Sequence, residues 1–190
     1  LLNRYLYLSG RVEMRAVERT TQHLLRNGFN PDLRRDSYQG LIYTSFQERG
    51  TKISHRNVAQ LAHASGDATL GKICNTIASD EARHEEAYKR FVGKIFEVDP
   101  NGAVCAFAAM MHARVVMPAR LMADGEAEDL FSQFASVAER IGVYTRHDYA
   151  ENIAHLVDYW AIPSLTGLRG EAEAAQEYLG GLAQRYTRLA

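Results

Sequence analysis

The sequence predicts an all-helical protein, and three observations lead there. Only four prolines occur in 190 residues. Ala, Leu, Glu, Arg and Gln, all strong helix formers, are abundant. No stretch sustains the period-2 alternation that marks strands, whereas apolar residues recur at steps of three and four. Hydrophobic residues make up 46% of the chain and charged residues 24%, enough apolar matter for one globular domain with its own core. A formal net charge of −1 gives no global field for nucleic acid or an anionic membrane. No apolar run approaches the ~20 residues of a membrane span. Cys74 and Cys105 are the only cysteines, which suits a reducing compartment and rules out a disulfide framework.

The elements follow in order. "LLNRYLYLSG" reads as a helix already in progress that stops near Ser9-Gly10. It carries no initiator Met, signal peptide or transit peptide, so a fragment or processed chain is expected. A second helix, "RVEMRAVERTTQHLLRNG", sets Val12, Ala16, Thr20, His23 and Leu24 on one stripe and ends at Gly28. Pro31 to Ser37 form a polar loop. Two long helices come next, from about Tyr38 to Ser65 and from about Ala68 to Glu97, separated by Gly66-Asp67. Asp99-Pro100-Asn101-Gly102 is a turn signal. Helices over about 103–117, 127–141, 146–160 and 170–189 complete the chain, with Ala123 to Glu128 expected to be flexible.

The long helices carry the chemistry. On the second, Leu70, Ile73, Ile77, Glu81, His84, Tyr88, Phe91 and Ile95 share one face, apolar except for Glu81 and His84 at its centre. Asp80, Arg83, Glu85 and Glu86 fall on other faces, where solvent can reach them. On the first, Leu41, Thr44, Glu48, Thr51, His55, Val58 and Ala62 line up in the same way. An unpaired buried carboxylate costs several kcal/mol, so two on neighbouring helices require a compensating cation. Glu-x-x-His on a helix is the ligand geometry of di-iron carboxylate bundles, in which two helices supply that motif and two supply a single Glu. Oxygen and imidazole ligands without thiolate suit iron or manganese, and ligand type leaves zinc open. The plain reading stands beside it: His84 as a satisfied core histidine and Glu81 paired with a nearby Arg.

"YTSFQERGTKISH" (43–55) followed by "IASDEARHEEAY" (77–88) closely resembles the plant soluble acyl-acyl carrier protein desaturases of the stearoyl-ACP Δ9 type. "LLNRYLYLSGRVEMR", "IFEVDPNG", "MPARLM" and "RIGVYTRHDYA" extend the likeness over essentially the whole chain. The resemblance implies a ferritin-like di-iron helical bundle, present in part, within a homodimeric all-helical subunit. It implies one helical domain over 1–190, incomplete at the N-terminus and at the C-terminus. By matching motif, Glu48 would be a bridging or redox-shifting ligand, Glu81 would bridge two iron ions, and His84 would bind one of them. Thr51 matches the hydroxyl beside the oxygen-binding side. Asp80 matches an acid of the electron-transfer route, and Gly40 and Leu41 match positions lining the acyl tunnel. The family's other Glu-x-x-His and its first single Glu have no counterpart here, because Glu151 and His155 are spaced i, i+4. Half of the expected ligands therefore lie outside this chain.

The family reaction removes two hydrogens from an unactivated CH2–CH2 pair of an acyl chain and leaves a cis double bond. No side-chain acid or base can do this, so the resemblance implies two iron ions, O2 and electrons from reduced ferredoxin. The implied partners are acyl carrier protein bearing its acyl chain, ferredoxin and a second copy of the chain, with no nucleic acid and no membrane. The implied setting is the plastid stroma and unsaturated fatty acid biosynthesis. Two alternatives remain: a metal-storing or peroxide-handling protein on the same bundle, and an inactive truncated homologue with a structural role.

Overall fold

A computed structural model describes residues 1–27, 36–113 and 118–189. Gly28, most of the Pro31–Ser37 loop and Met117 lie outside these described residues. The described residues form helices α1 (Leu2–Ser9), α2 (Met14–Asn27), α3 (Ser37–Ala64), α4 (Ala68–Val98), α5 (Pro100–His112), α6 (Leu130–Arg140), α7 (Arg146–Tyr159) and α8 (Glu171–Leu189), with no strand among them. The protein is all-α, a partial ferritin-like bundle.

Polar caps set the boundaries. Asp36 accepts hydrogen bonds from the Tyr38 and Gln39 amides to start α3, and Asp67 accepts from the Leu70 amide to start α4. Asp67 also receives the Tyr5 hydroxyl and Arg11 Nη1 at 2.7 Å, so one carboxylate both caps α4 and anchors α1. A capping box at Thr145 and Asp148 opens α7. The turn expected at residues 99–102 is instead the first turn of α5. The Asp99 amide closes α4 on Ile95 O at 2.7 Å, while its side chain accepts from the Gly102 amide at 2.9 Å. Pro100 sits at the first helical position, where a missing N–H costs nothing.

α3 and α4 form an antiparallel hairpin that supplies one wall of the core. At its closed end the helices approach so tightly that a Cβ on Gly71 would lie 2.5 Å from the His63 ring. The other wall comes from α5, α7 and α8. Ile42, Phe46, Val92, Phe107, Met110, Ile153, Leu156 and Leu179 are all buried between them. Trp160 is buried too; its Nε1 donates to Lys89 O at 3.0 Å, and Phe107 packs edge-on against its ring. α1, α2 and α6 bury no residue.

The buried face of each long helix is rotated from the expected one. On α4 the buried residues are Gly71, Ile73, Cys74, Ala78, Glu85, Lys89, Val92 and Phe96. The expected stripe, which begins at Leu70 and ends at Ile95, is a flank. Phe91 on it is exposed, and most of its other members are half-buried. On α3 the core takes Ile42, Phe46, Ala59 and Ala62, while Leu41, Thr44, Glu48, Thr51, His55 and Val58 are half-buried. The cause is visible in the sequence: Ile73-Cys74, Ile77-Ala78, Phe91-Val92 and Ile95-Phe96 each give α4 two apolar stripes about 100° apart. α5 and α7 cover the second. No helix of the described residues is long and apolar enough to cross a membrane.

Candidate metal centre

Glu48 on α3 and Glu81 and His84 on α4 meet on the half-buried flank of the hairpin. His84 Nδ1 lies 2.9 Å from Glu81 Oε2 and 3.3 Å from Glu48 Oε2. One ligand atom from each residue falls within 4.8 Å of the other two. The two carboxylates are largely shielded, with side-chain exposures of 16% and 19%, whereas His84 is 57% exposed. The expectation that Glu81 and His84 stand at the centre of a buried apolar face is therefore corrected. They stand on a flank, and the imidazole reaches solvent.

The electrostatics of this trio are unsettled. Burial, then a hydrogen bond and charge repulsion from Glu81, push the Glu48 carboxyl up to about 7, with only His84 opposing. The hydrogen bond to Glu81, helped by the charge of Glu48, raises His84. Burial lowers His55 against the charge of Glu81. Among the described residues neither Glu48 nor Glu81 has a Lys or Arg partner within ion-pair distance. Two carboxylates and an imidazole thus converge without a fixed cation. A divalent ion accepting their lone pairs would take the place of the shared proton, so the donor set fits a metal of the iron or manganese kind.

The other residues singled out in the sequence are spread around this flank. The Thr51 hydroxyl turns to its own helix, donating to Glu48 O at 3.0 Å and Gln47 O at 3.2 Å. Asp80 pairs with Arg83 on the outer side of α4, where Arg83 is exposed and Asp80 half-buried. Gly40 lies just over two turns before Glu48, and beyond its own helix backbone no described atom stands within 4 Å of where its Cβ would be. Close helix packing among the described residues therefore does not explain that glycine. Leu41 is half-buried against the edge of the core.

Glu85 was expected to be solvated, and this is corrected: its side chain is 2% exposed. It accepts from Arg49 Nη1 at 3.2 Å and from Lys52 Nζ, and Lys89 Nζ stands 3.2 Å from its Oε1. His155 Nε2 on α7 lies 3.4 Å from the same oxygen and 3.1 Å from Lys89 Nζ. Burial alone would raise the Glu85 carboxyl, but His155, Lys52 and the charge of Lys89 outweigh it and hold it far below the ordinary range. The available signal was the buried-face spacing Ala78, Glu85, Lys89, Val92, with Glu85 and Lys89 one turn apart.

A family model described as fatty acid desaturase matches residues 1–190. The chain is 57% identical over 189 residues to a Brassica napus protein named stearoyl-[acyl-carrier-protein] 9-desaturase, chloroplastic, covering 100% of this chain and 48% of that one. It is 56% identical over 190 residues to stearoyl-[acyl-carrier-protein] 9-desaturase 2, chloroplastic, of Arabidopsis thaliana, covering all of this chain and 46% of the relative. An acyl-[acyl-carrier-protein] desaturase, chloroplastic, of Cucumis sativus is 53% identical over 189 residues, with 100% and 48% covered. The chain spans about half the length of the curated relatives it matches.

Proposed function

The chain belongs to the fatty acid desaturase family, and on that premise we propose that it works in an acyl-acyl carrier protein desaturase of the stearoyl Δ9 type. The observation that carries this reading is the convergence of Glu48, Glu81 and His84 on adjacent helices with no Lys or Arg among the described residues beside the carboxylates. In this reading the three residues hold iron, and protein outside these 190 residues completes the ligand set of a two-iron centre. The bound metal supplies O2 chemistry strong enough to remove hydrogen from an unactivated CH2–CH2 pair, with electrons from ferredoxin.

The chain's own residues do the rest. Glu48 must surrender the proton that its surroundings favour, so loading the site releases protons. The Thr51 hydroxyl donates to the Glu48 main-chain carbonyl and so steadies the turn of helix that carries the ligand. The open space at Gly40, beside Leu41, admits an extended acyl chain and sets how far it slides past the metal. Asp80 and Arg83, on the outer side of the helix that carries Glu81, suit a path for incoming electrons. The acyl chain arrives on acyl carrier protein, and the setting is the plastid of a homodimeric enzyme.

The test is to incubate the complete, iron-loaded protein with stearoyl-acyl carrier protein, reduced ferredoxin and O2, then to analyse the fatty acids. A cis-unsaturated product that disappears in Glu81→Ala supports the reading. Iron uptake without any unsaturated product would assign the bundle to metal storage and overturn it.

A further inference from the structure

The apolar pattern of α4 leaves its rotation underdetermined. Two apolar stripes run side by side through Ile77-Ala78, Phe91-Val92 and Ile95-Phe96, and both can face a core. The trio of Glu48, Glu81 and His84 corrects this only weakly, because its hydrogen bonds lie on a half-buried flank where water can replace them. A buried charge is a different matter. It finds its partners in one register and one rotation only, and leaving it unpaired is severe.

We propose that Glu85 is a positioning residue for the metal centre, fixing α4 against α3 so that Glu81 and His84 already meet Glu48 without metal. The inference rests on the metal reading above. Arg49 directly follows Glu48, and Glu85 directly follows His84. The Arg49–Glu85 contact at 3.2 Å therefore ties the two helices together one residue along each from the point where Glu48 and His84 stand 3.3 Å apart. Lys52 adds a second tie from α3 one turn on. Lys89 and His155 extend the network to α7, where Lys89 Nζ also stands 4.3 Å over the Tyr159 ring. A slip of α4 by one turn, or its rotation onto the other apolar stripe, would strand Glu85 and at the same time carry Glu81 and His84 away from Glu48.

Lys52→Gln separates positioning from simple charge. Removing a cation near the centre strengthens metal binding if the network acts only through space, and weakens it if the network sets geometry. The full chain is titrated with Co2+ by visible absorption. In parallel, NMR reads the nuclear Overhauser contact between the His84 ring and the Glu48 methylenes in the metal-free state. Lys52→Gln and Glu85→Gln are expected to keep their helical circular dichroism, lose that contact and bind Co2+ about tenfold or more weakly, with Glu85→Asp recovering part of both. Unchanged contact in folded variants, or tighter Co2+ binding by Lys52→Gln, overturns the proposal. If Glu85→Gln does not fold, Lys52→Gln and Glu85→Asp decide. A wild-type chain that binds no Co2+ sinks the metal reading alone, and the metal-free contact still decides the positioning.

Discussion

Glu81 and Glu85 stand one turn apart on α4 and live in opposite circumstances. Glu85 is sealed in the core, yet Lys52, Arg49 and Lys89 surround it, and its charge is secured by the chain itself. Glu81 and its neighbour Glu48 are less deeply placed, and among the described residues only one another and His84 answer them. The difference teaches how to separate a structural carboxylate from a ligand. The structural one brings its cations with it; the pair proposed as ligands has none among the described residues, and in the proposed reading a metal ion completes it.

The comparison can be broken most forcefully at Glu85. Glu85→Ala leaves three cations facing an empty space, and breaking a buried ion pair costs roughly 3–5 kcal/mol. Thermal or urea unfolding should therefore show a melting temperature lower by very roughly 6–20 °C. A loss near zero would mean that the cluster is solvated and the contrast empty. The next effect belongs to the other region. Fe2+ at a hundred times its Kd should stabilise the wild-type chain by about 2.7 kcal/mol, and Glu48→Gln should abolish that gain. Persistence of the gain in the variant would place the metal elsewhere.

Acidity sharpens the contrast because the two regions respond with opposite signs. Glu48 is held at about 7 against an ordinary 4.5, so the folded chain keeps a proton that the unfolded chain has released. Its contribution is present below pH 4.5 and is lost as pH rises through 7; His84, also raised, acts in the same sense. Glu85 is held low, so its contribution is present above its ordinary range and is lost only in acid. Melting temperatures of the metal-free chain should thus fall between pH 5 and pH 8. Glu48→Gln should flatten that fall and gain about 1 kcal/mol at pH 8 after solvent screening. Equal slopes in both proteins would contradict the assignment. The smallest effect is expected at the outer pair of Asp80 and Arg83, where Asp80→Asn should shift unfolding by no more than about 0.5 kcal/mol.

Much of this was legible in the chain. Asp67 and Gly66 marked the hairpin turn, and Gly10, in a left-handed conformation at φ 63°, closes α1 where expected. That Glu48 would come to lie beside Glu81 and His84 was legible because each sits mid-stripe on one of two helices joined by a short turn. The rotation of those helices was not, since paired apolar residues such as Phe91-Val92 satisfy two faces equally well. Nor was the burial of Glu85, whose partners come from α3 and α7, far apart in sequence and recognisable only once the helices pack. Asp99-Pro100 misled for a simpler reason: the residues that favour a turn also favour the first turn of a helix.

The central claim, that Glu48, Glu81 and His84 exist to bind metal, is tested most directly by anomalous X-ray scattering at the iron edge from anaerobic crystals soaked in Fe2+. The account predicts a peak about 2.0–2.2 Å from carboxylate oxygens of Glu48 and Glu81 and from a ring nitrogen of His84. A flank that holds no iron under those conditions, or a peak held by other residues, would contradict it.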